Sequence, residues 1–330
     1  MFKLLFYTLL ATCFLSADED SQTLYVQLET ESPLLPLYIV KTEEGQSSLS
    51  PDYVKQLETI LKFDLGHNGM TSLAASNQGI KQLEKQLSFT GQVDLSPWMK
   101  EKIYFIVQPR IQQRTLGARL YIVNSNQIKM VDGLQLTGTL SEDRRTLHQL
   151  ADTIHKALFN ENGIASTKIL YTVKKEAAAG KKRISEVYEA DYDGGNARQI
   201  TNTNAICVTP SYIPPREGRI SRSFVFVSYE MGQPKIYFGD LETGKTQRAT
   251  LLKGNQLMPV ISNQRDKMAF ISDITGNPDL FLQNYNSESG LIEKPRQLYA
   301  THKATQSTPT FSPDGKKIAF VSNKDGSPRI

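Results

Sequence analysis

Short apolar runs, each closed by a polar turn, recur along the second half of the chain. The plainest are SFVFVS (223–228), KMAFIS (267–272) and KIAFVS (317–322). Runs of this length, rich in Phe, Val and Ile and bounded by Gly, Asp and Pro, predict β-strands. A Pro-led apolar strand precedes each, beginning at Pro210, Pro259 and Pro309, and a turn holding Pro234, Pro278 or Pro328 follows. Asp314-Gly315 joins two such runs, and Gly accepts the positive φ that a tight hairpin needs. A third strand (KIYFGDL, DLFLQNY) and a fourth (TQRATL, PRQLYA) complete each unit. Equivalent prolines and phenylalanines lie 44 to 50 residues apart. A repeat of that length predicts the four-stranded blades of a β-propeller.

The blades are expected from about 168, 209, 258 and 309, and the fourth stops in mid-strand at Ile330. The first is less regular: ILYTV (169–173) is followed by VYEADYDGGNARQIT (187–201), whose Asp193-Gly194-Gly195 turn matches Glu242-Thr243-Gly244. Two insertions, 174–183 and 214–219, depart from the repeat. An open arc of blades leaves apolar sheet faces uncovered at its ends. The expectation is therefore a propeller of about three and a half blades, truncated within the fourth.

The first half has a mixed pattern. LYVQLE (24–29) and LLPLYIV (34–40) read as strands, with Pro36 demoting the start of the second to an edge or bulge. Ser50, Pro51 and Asp52 open a helix whose Val54, Leu57, Ile60 and Leu61 recur at helical spacing. Residues 76–87 predict a polar helix with Ile80, Leu83 and Leu87 on one stripe. Three strands follow at 103–111, 118–124 and 130–140. Ser141 is the expected cap of a last helix, whose apolar face holds Leu147, Leu150, Ala151, Ile154 and Leu158. This order predicts an α/β domain over 18–165 and a propeller over 166–330.

Composition is that of a globular protein, with 39% hydrophobic and 22% charged residues and a net charge of +4. The one basic run, Lys181-Lys182-Arg183, has no aromatic interleaving and predicts a solvated loop rather than a nucleic-acid patch. Residues 1–17 predict a secretory signal peptide: Lys3, an apolar run over 4–15 too short to span a bilayer, then Ser16-Ala17. Thr12 is a poor residue before Cys13 for a lipoprotein box. Without Cys13, Cys207 stands alone in the apolar stretch AICV and has no intrachain disulfide partner.

Candidate chemistry is sparse. His148, Asp152 and His155 lie on one side of the last helix, where two imidazoles and a carboxylate could bind a metal or act as acid and base. His148 and His155 are two turns apart, so helix-surface or domain-packing roles are expected instead. His67 and His302 fall in loops. There is no G-x-S-x-G, phosphate-binding loop or Cys/His metal spacing. No enzyme, cofactor or metal is expected.

SPDGKKIAFVSNKDGSP (312–328) resembles the propeller repeats of the TolB family. HQLADTIHKALFNENGIASTKILYTV (148–173) resembles that family's link between its last N-terminal helix and first blade, and VQLETESPLLPLYIV (26–40) its N-terminal strand region. Lys100-Glu101-Lys102 after Trp98 departs from the family pattern, and 72–96 has no clear counterpart. The resemblance implies an α/β N-terminal domain followed by a β-propeller, six-bladed in the family. It implies a non-enzymatic periplasmic component of the Tol–Pal system that serves outer-membrane integrity and cell division. The propeller is expected to dock the Pal lipoprotein, with other Tol–Pal and outer-membrane proteins as further partners. The N-terminal segment is expected to contact TolA through Asp18, Glu19, Asp20, Ser21, Gln22, Thr23, Leu24, Tyr25, Val26, Gln27, Leu28 and Glu29. No nucleic acid is expected, and the protein is peripheral to the outer membrane only through its partners.

Propeller geometry places the loops between blades on the same face as the turns between second and third strands, opposite the SPDG turns. Residues 202–204, 253–256 and 301–306 make that face polar. Loops on a rigid scaffold are the usual place for recognition, so Asn204, Asn255, Gln256, Thr305 and Gln306 are the expected partner contacts. Alternatives are the propeller of an exported serine peptidase, or a propeller binding small molecules or glycans in its channel. Tyr212, Ile261 and Phe311 on the inner strands read better as blade packing than as channel residues.

Overall fold

The computed structural model describes residues 33–45, 48–175, 183–216, 220–286, 290–291, 294–301 and 303–330. The expected signal peptide, the strand at 24–29, the segment from Asp18 to Glu29, the Lys181-Lys182 pair and His302 lie outside the described residues.

The first unit runs β1 (Leu35–Ile39), β2 (Glu43–Gly45), α1 (Pro51–Gly66), β3 (Thr71–Leu73), α2 (Gln78–Glu84), α3 (Ser96–Lys100), β4 (Phe105–Gln112), β5 (Thr115–Ile122), β6 (Gln127–Gln135) and α4 (Leu140–Phe159). The sheet order is β3-β1-β4-β5-β6, with β2 alongside β4. Side chains alternate across it, as the two-residue period of a strand requires. Leu37, Phe105 and Val107 face α1 and α4 in one core. Tyr38, Ile106 and Tyr121 face the other way, against Ile80 of α2 and Trp98 of α3. Three layers result, and Trp98 is 1% exposed.

Two expectations are corrected here. Pro36 lies in a strand flanked on both sides, not at an edge. Leu35 donates its N–H to Met70 on the β3 side, so the missing N–H of Pro36 faces β4, where the first registered pair is only Leu37 with Phe105. The proline thus sits just before that ladder starts and removes no interior bond. Ser141 does not cap α4. Thr139 occupies the cap position without a side-chain bond, and Ser141 lies inside the first turn. Asp143 instead holds the chain that enters the helix, accepting the N–H groups of Thr137 at 2.7 Å and Gly138 at 3.0 Å and the Tyr53 hydroxyl at 2.6 Å. Asn160, at φ 60°, ends the helix in the left-handed conformation that Asn tolerates.

The strands of the second unit form antiparallel sheets in chain order. β7 (Lys168–Lys175), β8 (Ile184–Asp191) and β9 (Arg198–Gln199) make the first sheet, and β10 (Cys207–Tyr212), β11 (Ser223–Ser228), β12 (Lys235–Asp240) and β13 (Thr246–Arg248) the second. β14 (Gln256–Ile261), β15 (Lys267–Ser272), β16 (Asp279–Asn286), β17 (Gly290–Leu291) and β18 (Arg296–Tyr299) make the third. β19 (Gln306–Phe311) pairs with β20 (Ile318–Ser322). Each inner strand starts three residues before its leading proline, not at it. The residue before that proline has positive φ (Thr209 49°, Met258 52°, Thr308 48°), and the register shifts there in all three ladders. A bulge leaves one residue unpaired, which is how a strand accommodates a residue with no N–H.

Sheets stack through their faces. Phe224, Phe226 and Tyr237 pack with Val187 and Cys207. Val225, Val227 and Phe238 pack with Met268, Phe270 and Phe281 of the next sheet. Leu280 and Leu282 meet Phe311, Ile318 and Phe320. Tyr212, Ile261 and Phe311 are part of this inter-sheet packing. Cys207 is fully buried, and burial raises its thiol above the ordinary value, so it behaves as a small apolar residue. No described helix is long and apolar enough to cross a membrane.

Candidate interaction site

The loops that lead into each inner strand are tied to the sheet on either side. Gln256 donates its N–H to Pro234 at 2.9 Å, and Gln306 to Pro278 at 2.7 Å, so β14 and β19 each start by bonding the turn of the preceding sheet. One residue earlier the pattern also repeats. Asn255 gives its N–H to Asp273 Oδ1 at 2.7 Å and its side-chain Nδ2 to Oδ2 at 2.6 Å. Thr305 gives its N–H to Asn323 Oδ1 at 2.7 Å. Asn204, exposed and at φ 53°, gives its N–H to Glu186 Oε1 at 2.8 Å.

These bonds divide the five predicted contacts. Asn204 and Thr305 are exposed and Asn255 is half-buried. Gln256 and Gln306 are 0% and 1% exposed, and the Gln256 amide turns inward to donate to Leu252 at 2.8 Å. The expectation that all five form an exposed set is corrected for these two glutamines, because they are the first paired residues of inner strands and not loop residues.

The residues that shape the loops escaped the sequence reading. Lys235, 5% exposed, donates to the carbonyls of Leu252 and Gly254. Burial lowers its ammonium below the ordinary lysine value, and Arg248 adds to that. Gly254 has φ 72°, and a Cβ there would stand 2.7 Å from Asp273 Oδ1, so both conformation and space require glycine. A signal was present in the sequence: Asp273 and Asn323 follow directly on FIS and FVS, one repeat apart.

The histidine set is not brought together. His155 is buried and packs on Phe159 with ring centroids 5.0 Å apart. Asp152 accepts the N–H groups of Ala165 at 2.8 Å and Ser166 at 2.9 Å, fixing the connector after α4. His148 is 2% exposed and bonds Asp64 of α1 through Nδ1 at 2.8 Å. Of the two expected roles, domain packing is the one His148 has and helix surface is corrected: α4 is covered on this side by α1 and by the turn after β8.

That turn forms the junction between the two units. Arg144 of α4 pairs with Asp193, and its Nε is 3.5 Å from Asp191. Asn196 donates to Asp191 at 2.8 Å and to the Ser141 carbonyl at 3.0 Å. Tyr192 packs edge-on against Phe63 and His148. Gly195 lets the Arg144 guanidinium lie where a Cβ would be. Ligand-type atoms of Asp64, His148 and Asp193 come within 4.8 Å of one another. Both Asp193 oxygens already accept protein donors, from Gly195 and Arg144, so the set is a salt-bridge cluster rather than a metal site.

A family model described as the TolB beta propeller domain matches residues 155–330. A Protein TolB homolog of Protochlamydia amoebophila (strain UWE25) is 50% identical over 298 residues, covering 90% of this chain and 63% of the relative. A Protein TolB homolog of Chlamydia felis (strain Fe/C-56) is 32% identical over 286 residues, covering 87% of this chain and 61% of the relative. The chain thus spans less than two thirds of the length of these relatives. Among solved structures, TolB from Acinetobacter baumannii matches with a TM-score of 0.67 at 22% identity, covering 89% of this chain and 67% of that one. This last likeness supports the fold: an α/β unit followed by propeller-type sheets.

Proposed function

The chain belongs to the TolB β-propeller family, and we propose that it acts as a non-enzymatic component of the Tol–Pal system in the periplasm. In this reading the loop face of the propeller binds the Pal lipoprotein, and the segment from Asp18 to Glu29 contacts TolA. The assembly maintains the outer membrane and supports division. The observation that carries the reading is the construction of the loop face. Asn204, Asn255 and Thr305 are presented on backbone bonds to Glu186, Asp273 and Asn323, so recognition atoms are held in place by a packed scaffold. Preorganised loops lose less entropy on association than free ones.

The test is calorimetric titration of the protein with purified Pal and with purified TolA. Binding of both, with TolA binding alone lost on deleting 18–29, is the expected result. Asn255→Ala together with Thr305→Ala should weaken Pal and leave TolA unchanged. Unchanged Pal affinity in that double variant would remove the loop face from the reading. Binding of neither partner by folded protein would overturn the assignment to the system.

A further inference from the structure

The junction is built around the His148 imidazole. His148 is 2% exposed and stands between Asp64 of α1, 2.8 Å from Nδ1, and Asp191 of β8, 3.8 Å from Nε2. The groups around it are Asp64 from α1, Arg144 and Asp152 from α4, Lys168 from β7, and Asp191, Tyr192 and Asp193 from the blade. Asp152 is engaged with backbone N–H groups. Of the rest, Asp64, Asp191 and Asp193 are acidic, whereas Arg144 and the half-exposed Lys168 are basic. An imidazolium at His148 balances the set. A neutral ring has one N–H only: it either leaves the buried Asp64 carboxylate without that donor or turns a lone pair toward Asp191. Asp64 Oδ1 and His148 Nε2 have no hydrogen-bond partner among the described residues, so no other donor there, at Asp64 Oδ1, replaces the ring N–H.

We propose that His148 is a proton-operated clasp between the N-terminal α/β unit and the first blade: its imidazolium ties α1 and α4 to the turn at Asp191–Asp193, and loss of the proton loosens that junction. Burial alone lowers the ring's affinity for a proton, but the hydrogen bond and charge of Asp64, with the charges of Asp193 and Asp191, outweigh it and raise the value above that of free imidazole. A folded value above the unfolded one, about 6.5, gives stabilisation that is complete below about pH 6.5 and is lost as pH rises through the folded value. The clasp does not depend on which partners the loop face binds. It links the mutual hold of the two units to the acidity of the surrounding compartment.

The experiment is a pH series on the intact chain. Imidazole resonances of the four histidines are followed by NMR, with His148 assigned by its loss in His148→Gln. Urea unfolding is followed in parallel through the single tryptophan, Trp98, which lies in the N-terminal unit. The His148 ring is expected to titrate above about pH 6.5, and the Trp98-monitored unfolding constant to rise about tenfold per unit by which the folded value exceeds the unfolded one. His148→Gln should remove that rise, and Asp64→Asn should move the ring's titration downward. A His148 ring that is neutral at pH 6, or a His148→Gln variant with the wild-type pH slope, would overturn the proposal. Stoichiometric Zn²⁺ alone shifting the His148 resonances would also overturn it, in favour of a metal site. If His148→Gln does not fold, assignment by through-bond correlation replaces it, and the wild-type titration decides.

Discussion

Two adjacent glycines in the turn after β8 should differ sharply on substitution, and the order of their effects tests how the two units are joined. Gly194 has φ 84°, and a Cβ added there would have no atom within 4 Å, so Gly194→Ala meets only backbone strain, about 1 kcal/mol. Gly195 is not in the left-handed region, but a Cβ there would overlap the Arg144 guanidinium. Arg144 must then withdraw from Asp193 and Asp191, whose side chains are 8% and 10% exposed, leaving two carboxylates short of their cation. Deleting one partner of a buried pair costs about 3–5 kcal/mol. Here the arginine is displaced rather than deleted and can reach water, so about 2–3 kcal/mol is the expected cost, on the same scale.

The assay uses the position of the only tryptophan. Trp98 is 1% exposed and packs against Tyr38 in the N-terminal unit, while both glycines belong to the blade. A shift of the Trp98 fluorescence transition in urea therefore reports loss of hold across the junction. With a denaturant slope of about 1–3 kcal/mol per molar urea, Gly195→Ala should lower that midpoint by roughly 1 M or more. Gly194→Ala should leave it nearly unmoved and shift only the circular-dichroism transition of the sheets. If Gly195→Ala moves the Trp98 midpoint no further than Gly194→Ala does, the close approach of Arg144 is not what joins the units.

Other outcomes follow from single sites. Phe226→Ala removes a fully buried ring packed at a tilt against Phe224 and Tyr237 and should cost about 3–5 kcal/mol, read in the sheet transition by circular dichroism. Burial would raise the Asp143 carboxyl, but its bonds from Tyr53, Thr137 and Gly138 hold it below the ordinary value. Its contribution is therefore complete above the unfolded value of about 3.9 and is lost as pH falls through the folded one, so Asp143→Asn should flatten the acid-unfolding curve below about pH 4. Ser50→Ala removes the bond to Tyr53 N–H at the start of α1 and should cost about 1 kcal/mol in thermal unfolding. Asp273→Ala frees both nitrogens of Asn255 and should weaken the proposed binding of Pal several-fold with little loss of stability, about 1 kcal/mol, since Asn255 is half-buried.

What could be read in the sequence, and what could not, divides along the range of the interactions. The runs at 223–228 and 267–272 became β11 and β15 because strand periodicity and bounding turns are local properties, fixed within a few residues. The capping of α1 by Ser50 is equally local. The misplacements came where a distant segment competes. Ser141 lies inside α4, and the chain entering the helix is held by Asp143, whose donors include the Tyr53 hydroxyl ninety residues away. Pro36 is tolerated inside the sheet because the β4 ladder begins one residue later, a fact about register rather than composition. Gln256 and Gln306 read as polar loop residues because polarity is visible in sequence and burial is not.

The histidines make the same point most sharply. His148 and His155 project from the side of α4 that the sequence pattern leaves polar, and a polar stripe is ordinarily a solvent face. His148 and Arg144 on this side are polar because they meet other polar groups: Asp64 from α1 and the Asp191–Asp193 turn from the first blade. The partners of His148 lie 84 residues before it, at Asp64, and in the next unit, at Asp191, beyond the reach of any periodicity. The Asp193-Gly194-Gly195 turn was recognisable as a hairpin turn, but its second glycine serves a neighbouring helix rather than the turn itself. In that turn Gly194 is thus set by its own blade, through its positive φ, and Gly195 by the unit the blade must hold.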